Sequence, residues 1–218
     1  QTDSLRAAST SNAHIEGDET TAVARTPTVR LGNYTQILKD ALTVSGTDKA
    51  LNKAGRGKEM LYQLGRAGKT LKMDAEAILL SNQARAAGNG STARTLASVL
   101  SWLKTNTVNE TGNSGADPTG DGTDARTDDG TPTAFSQTKF DDVMKQTWDS
   151  GGKPRSVYLS SFQMNVALGF SGNNNQRAQI DATKAMVSND IVVYRTPWGT
   201  VDFIMSRECR SSDVFVMQ

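Results

Sequence analysis

The clearest periodicity in the chain lies between residues 55 and 86. Met60, Leu61, Leu64, Ala67, Leu71, Ala75, Ile78 and Leu79 recur at three- and four-residue spacing. At ~100° per residue they fall within an arc of about 120°. This spacing predicts an amphipathic helix over 55–86, a rod of roughly 45 Å at 1.5 Å per residue. Lys58, Arg66, Lys69 and Lys72 occupy the opposite arc, joined by a single acid, Glu76. Gly57, Gly65 and Gly68 lie in the same stretch, each costing about 1 kcal/mol relative to Ala. Such a helix relies on tertiary or inter-subunit packing, and Gly88 and Gly90 supply its stop.

The stretch before the helix is different in kind. Residues 1–48 hold 9 Thr and few bulky aliphatic side chains before Leu31. Residues 28–31 and 34–38 are β-prone, with Gly32 and Asn33 between them as a bend or bulge. Residues 1–8 are the candidate opposing strand, and the polar stretch 9–27 connects the two. A long hairpin of this composition cannot bury a core of its own. It must lie on other structure, in the same chain or in a neighbour.

After the helix, residues 94–104 form a short apolar segment, a helical turn or strand leading into a second unit. Residues 106–133 contain 7 Thr, 5 Gly, 5 Asp and one Glu, with Arg126 the sole base. They read as an exposed acidic loop with a surface role. A helix then spans 136–150, burying Phe140, Val143, Met144 and Trp148 and ending at Gly151 and Gly152. A buried strand at 156–159, a helix at 162–170 and a polar loop at 171–175 follow. Strands at 191–194 and 201–205 flank a hairpin turn at Thr196, Pro197, Trp198 and Gly199. Residues 213–217 read as a last strand. The order predicts an α+β unit over 95–218 with a mostly antiparallel sheet. Residues 49–94, with the helix, form a separate part.

Length and composition narrow the chemistry. At 218 residues the chain holds one large domain, or a domain with an extended appendage. The hydrophobic share of 36% and a mean hydropathy of −0.48 describe a chain with much exposed surface. No run approaches the roughly 18 apolar residues of a membrane span. Twenty-four basic against 23 acidic residues leave +1, with no global nucleic-acid signature. A single Cys and a single His exclude a disulfide framework, a cysteine-rich zinc site and most histidine chemistry. The chain opens at Gln1 and stops just after an apparent strand, as expected of a fragment trimmed from a longer polypeptide.

Several local patterns carry a chemical suggestion beside a plainer one. Asp117, Asp121, Gly122 and Asp128 partly fit a calcium loop, but Thr119 and Asp128 stand where an acid or amide and a Glu are wanted. A solvated acidic loop is the plainer reading. Gly65 to Thr70 ends like a phosphate-binding loop in Gly-Lys-Thr. It lacks the upstream Gly and strand, and lies within the helical period. The basic helix face suits nucleic-acid phosphate, solvent, or acids of a neighbour. His14 has no second ligand of its type. Cys209 lies far along the chain from the one His that could serve it as a base. Asp141, Asp142 and Asp202 are the carboxylates an acid–base enzyme would draw on, yet Asp141 and Asp142 are adjacent on a helix and point to different faces.

The local text is more telling. The stretches 1–5, 16–18, 31–37, 44–47, 62–69, 100–103 and 148–154 resemble a major head protein family of tailed bacteriophages, with the Hong Kong 97-like capsid fold. The resemblance is spread over nearly the whole chain and is weakest in the acidic loop 106–133. It implies that residues 1–48 are the extended loop reaching over an adjacent subunit. It makes 55–86 the spine helix of a peripheral domain and most of 95–218 the axial domain. Further chain is expected before Gln1 and after Gln218. The implied function is self-association into hexameric and pentameric capsomers of an icosahedral head. That head forms in the bacterial host cytoplasm around double-stranded DNA, with no catalytic residue, cofactor or metal. Glu16, Asp18, Glu19, Arg25 and Arg30 are the candidate contacts of the arm with a neighbour. Lys58, Arg66, Lys69 and Lys72 are the candidates for packaged DNA or neighbouring acids. The competing readings are a carboxylate enzyme and a nucleic-acid- or calcium-binding module.

Overall fold

The computed structural model describes residues 6–25, 27–51, 54–55, 57–108, 115–128, 130–131, 133–170 and 193–218. Its centre is a four-stranded sheet in the order β2-β3-β1-β4, formed by β1 (Ser156–Leu159), β2 (Val193–Thr196), β3 (Gly199–Met205) and β4 (Phe215–Met217). β2 and β3 make the expected hairpin, pairing Thr196 with Gly199 and Val193 with Asp202. β1 runs parallel to β3, with Val157 opposite Phe203, and antiparallel to β4, with Tyr158 opposite Phe215. The sheet is therefore mixed, with two of its three pairings antiparallel as expected and the β1–β3 pairing parallel. To run parallel to β1, β3 is entered from the end at which β1 began, so the chain returns across the sheet between them in a long connection. The expected strand residues Ile191 and Val192, and the loop 171–175, lie outside the described residues.

The pleat sends alternate side chains to two different cores. On one face Val157, Leu159, Val201 and Phe203 meet Phe140 and Met144 of α3 (Gln137–Asp149) and Ala167 of α4 (Ser161–Leu168). Phe140 is the hub of this core, 5.7 Å from the Tyr194 ring and 5.8 Å from that of Phe203. On the other face Phe215 joins Leu80, Leu100 and Cys209, with Tyr158 and Met217 packed alongside. Ser136 and Ser160 cap α3 and α4 by accepting from the backbone N–H groups of Lys139 and Gln163. Trp148, expected in the core, is 47% exposed near the C-terminus of α3, and Phe162 is also exposed.

The long helix is α2 (Glu59–Leu80), 22 residues or roughly 33 Å, shorter at both ends than 55–86. A five-residue helix, α1 (Gly46–Ala50), precedes it. At its C-terminus the Ser81 hydroxyl donates to the Ile78 carbonyl at 2.7 Å. Asn82 and Gln83 then turn to partners far along the chain instead of continuing the helix. The Asn82 amide pairs with the Arg126 backbone, donating to its carbonyl at 2.6 Å and accepting from its N–H at 2.9 Å. The Gln83 carbonyl accepts from the Ser98 N–H at 2.8 Å and from the Ser101 hydroxyl, and its own N–H donates to the Ser98 hydroxyl at 2.9 Å. Residues 83–98 form a narrow excursion closed by the Ala86–Thr95 bridge. Gly88 has φ +71° there, and a Cβ on it would lie 2.7 Å from the Arg94 nitrogen. The apolar segment 94–104 becomes a 3-10 turn at Val99–Trp102.

No strand occurs among the described residues of the 1–48 stretch, in place of the expected hairpin. Residues 1–5 of the candidate opposing strand lie outside the described residues. Among the described residues of this stretch Val29 alone is a bridge residue. The acidic stretch also departs from a simple surface loop. Among its described residues Pro118 and Gly122 are buried, and the Gly122 carbonyl accepts from the Arg85 N–H at 2.9 Å. The turn fits only glycine at 122, with φ +82° and the Trp102 ring 2.8 Å from a would-be Cβ.

The two phenylalanines of opposite fate give a test of this core. Phe140→Ala should cost about 3–5 kcal/mol in urea unfolding of the free chain, whereas Phe162→Ala should stay within about 0.5 kcal/mol.

Candidate subunit interface

The arm is a run of open side chains. Every described residue from Arg6 to Arg30 is exposed. Ile15 and Val23 are 81% and 85% exposed, and water is an expensive place for so much aliphatic surface. Glu16, Asp18, Glu19, Arg25 and Arg30 all lie in this run and form no ion pair among the described residues. Two local bonds touch them, from the Asp18 N–H to the Ile15 carbonyl at 3.2 Å and from the Glu19 N–H to Asp18 Oδ1 at 2.9 Å. The structure thus places these five on one open segment, with no charged partner among the described residues.

At its root the arm is fastened by side chains. Asn33 Oδ1 accepts from the Ala97 N–H at 2.9 Å, and its Nδ2 donates to the Ala97 carbonyl at 3.2 Å. Gln36 Oε1 accepts from the Leu96 N–H and from Gln83 Nε2, both at 3.2 Å. Two guanidinium groups add to this: Arg85 donates to the Gly32 carbonyl, and Arg94 Nε donates to that of Thr35 at 2.6 Å. These amides escape a motif search because an Asn or Gln in a β-prone stretch reads as a polar interruption. The available signal is their position beside Gly32, where the chain cannot continue a regular strand.

α2 leaves part of its apolar stripe open. Met60, Leu61, Leu64 and Leu79 are 41%, 64%, 57% and 46% exposed, while Ala67, Leu71, Ala75 and Ile78 are half-buried. The end of the other arc docks as well. Leu80 is buried, and Glu76 accepts from the buried Ser206 hydroxyl at 2.5 Å. Glu76 therefore belongs to the docked side rather than to a solvated basic face. Lys58 precedes the helix as its N-cap residue. Arg66, Lys69 and Lys72 are exposed within it, the Arg66 guanidinium lying 6.0 Å from the Tyr62 ring. Gly65, Gly68, Lys69 and Thr70 lie in mid-helix, a geometry that offers no loop of N–H groups to a phosphate.

The carboxylates of the acidic stretch are spent on nearby donors. Asp121 Oδ1 accepts from the Thr123 hydroxyl at 2.5 Å and its N–H at 2.9 Å, and from the Thr119 hydroxyl at 2.9 Å. These bonds, the Thr123 hydroxyl foremost, hold its carboxyl down to about 2. Asp124 accepts from the Thr119 N–H and hydroxyl. Asp117 lies 3.7 Å from Arg126, and Arg210 bridges Asp128 and Asp213. Burial pushes the Asp213 carboxyl up, and Arg210 opposes that. Such half-exposed pairs contribute at most about 1 kcal/mol each. Among the described residues no three His, Cys, Asp or Glu side chains converge as metal ligands. The calcium-like spacing of Asp117 to Asp128 instead closes a hydroxyl-capped turn.

Nor do reactive groups meet. Cys209 is buried, and burial, reinforced by Asp213, pushes its thiol up to about 11, so the nucleophilic thiolate is scarce. Burial, then the neighbouring Asp142, raises the Asp141 carboxyl. Asp202 sits exposed on β3, and His14 on the open arm. A cavity of ≈ 450 Å³ between the 3-10 turn, α3 and β4 is lined by Leu100, Phe135, Val143 and Val214 and edged by Arg126 and Arg210. It unites no nucleophile with a base. No helix among the described residues is long and apolar enough to cross a membrane.

Among the described residues the side chains define surfaces. The sequence pattern of the family described as SU10 major capsid protein matches residues 1–218, and the chain belongs to this family of phage major capsid proteins. It is also similar to the major capsid protein of Escherichia phage Phieco32, with 46% identity over 85 residues. That match covers 39% of this chain and spans about a quarter (24%) of the relative's length.

The Asp121 turn yields a pH prediction. A carboxyl held below its ordinary 3.8 adds stability above that value and loses it as pH falls toward about 2. Carboxyl-carbon NMR should show Asp121 titrating near 2, and Thr123→Val should move the midpoint back toward the ordinary range. An unchanged midpoint in the variant would refute the hydroxyl's role.

Proposed function

We propose that this chain is the shell-forming subunit of a tailed-phage head with the Hong Kong 97-like fold. In this reading copies associate as hexameric and pentameric capsomers of an icosahedral shell around double-stranded DNA. They assemble in the host cytoplasm and reside in the virion. Residues 1–48 are the extended loop, α2 is the spine helix, and most of 95–218 is the axial unit. The work is mechanical rather than catalytic.

The observation that carries the reading is the open apolar stripe of α2. Met60, Leu61, Leu64 and Leu79 expose surface that the sheet unit of the same chain leaves uncovered. At about 25 cal/mol per Å², covering such a stripe drives association. The family is one of capsid proteins, and a second copy is the partner at hand. The arm supplies the complement: exposed Ile15, Val23 and Val29, flanked by Glu16, Asp18, Glu19, Arg25 and Arg30 for charged contacts with a neighbour. Each contact is weak, and repetition over a lattice multiplies it. Arg66, Lys69 and Lys72, with Lys58 at the helix entrance, are the groups this reading gives to DNA phosphate or to acids of adjacent subunits.

Negative-stain imaging and mass measurement of the full-length head protein test this directly. The unsubstituted protein should give rings or shells. The Leu61→Glu/Leu64→Glu variant should stay monomeric with unchanged circular dichroism, since both positions are solvent-exposed in the free chain. An unsubstituted protein that remains monomeric at high concentration overturns the proposal. For the binding of DNA, replacing Arg66, Lys69 and Lys72 by Ala should flatten the dependence of log affinity on log salt by about 0.9 for each phosphate no longer neutralised.

A further inference from the structure

The arm poses a positional problem: a segment without a strand must still leave the body of the protein in a defined direction. We infer that Asn33 and Gln36 are the positioning residues of the arm, a clasp made by side-chain amides that fixes its root against residues 83–98. The inference gains its link to assembly from the reading of residues 1–48 as an inter-subunit arm, while the clasp itself is a property of the single chain.

The geometry of Asn33 is that of a strand pairing made by one side chain. Its carboxamide presents an acceptor and a donor side by side, as a backbone residue in a ladder does. Ala97 answers with its N–H at 2.9 Å and its carbonyl at 3.2 Å. The same oxygen accepts from the Tyr34 N–H at 2.9 Å, which turns the side chain back over its own backbone and sets the bend at the arm's root. Gln36 works differently. Among the described residues only its oxygen is used, accepting from the Leu96 N–H and from Gln83 Nε2. Gln83 is itself held, because its Nε2 also donates to the Leu96 carbonyl at 2.7 Å. The clasp thus closes on two successive residues, Leu96 and Ala97, of a segment anchored by Ser98 and Leu100 in the body.

The difference between the two amides is the means of testing the clasp. Gln36→Glu keeps the accepting oxygen, and a charged acceptor strengthens both bonds. Asn33→Asp keeps the acceptor but loses the Nδ2 donor, and sets a carboxylate against the Ala97 carbonyl. A merely polar surface contact would not separate the two changes. Amide hydrogen exchange on the free chain reads this at Leu96 and Ala97, with Val157 and Phe203 in the sheet as reporters of the global fold.

The expected result is Leu96 exchange within about twofold of the parent in Gln36→Glu and roughly tenfold faster in Gln36→Ala. Ala97 should exchange roughly tenfold faster in both Asn33→Asp and Asn33→Ala, with trypsin cutting sooner after Lys39. Equal exchange at Leu96 in Gln36→Glu and Gln36→Ala would overturn the clasp, as would unaltered exchange at Ala97 in Asn33→Ala. If the Asn33 variants fail to fold, the Gln36 pair still decides. Both readouts are made without assembly, so their failure leaves the shell reading intact, and a failure to form shells leaves them standing.

Discussion

Side-chain amides pairing with a distant backbone hold this molecule together wherever its sheet does not reach. With 36% hydrophobic residues, the chain packs two modest clusters around one four-stranded sheet. Long irregular segments remain, and their N–H and C=O groups need partners if they are to lie against the body. Asn33 on Ala97 and Asn82 on Arg126 solve this in the same way, each making both bonds of a strand pairing with a single carboxamide. Gln83 and Gln36 extend the scheme around Leu96. If these pairings were removed, the arm, the 83–98 excursion and the folded part of the acidic stretch would each lose their reference to the sheet.

What could be read from the sequence follows from where burial dominates. α3, β1, α4 and the β2–β3 hairpin were legible because Phe140, Met144, Val157, Leu159 and Phe203 mark a buried face by period alone. The parallel pairing of β1 with β3 was not, since pleat periodicity specifies which face is buried and not which strand lies beside which. The helix α2 was legible in kind but only in part in orientation. Its apolar stripe invited the assumption of an intramolecular core, while part of the stripe stays open and the body also holds the helix through Glu76 and Leu80. Periodicity locates an apolar face and is silent on whether the surface that covers it belongs to the same chain. The amide pairings were invisible for another reason, because one partner in each is backbone and leaves no trace in the text.

The same logic separates the acidic stretch from a metal site. Oxygen spacing along the chain suggested calcium, but threonine hydroxyls and N–H groups reach the carboxylates first. A Thr-rich context supplies its own donors, so the acids fold the loop locally. Arg126 and Arg210 draw the remaining carboxylates toward the body, and a run that looked like free negative charge is largely paired where it is described.

A contact made by a carboxamide to a main-chain group is indifferent to the identity of the residue that supplies that main chain. Arg126 meets Asn82 through its peptide group, and its guanidinium is employed elsewhere, beside Asp117. Sequence drift at position 126 to any residue but proline, which lacks the N–H, therefore leaves the join intact, whereas replacing Asn82 costs one or both of its bonds. Tolerance to mutation is unequally shared across each seam, so that one side of such an internal joint can diversify while the other stays fixed.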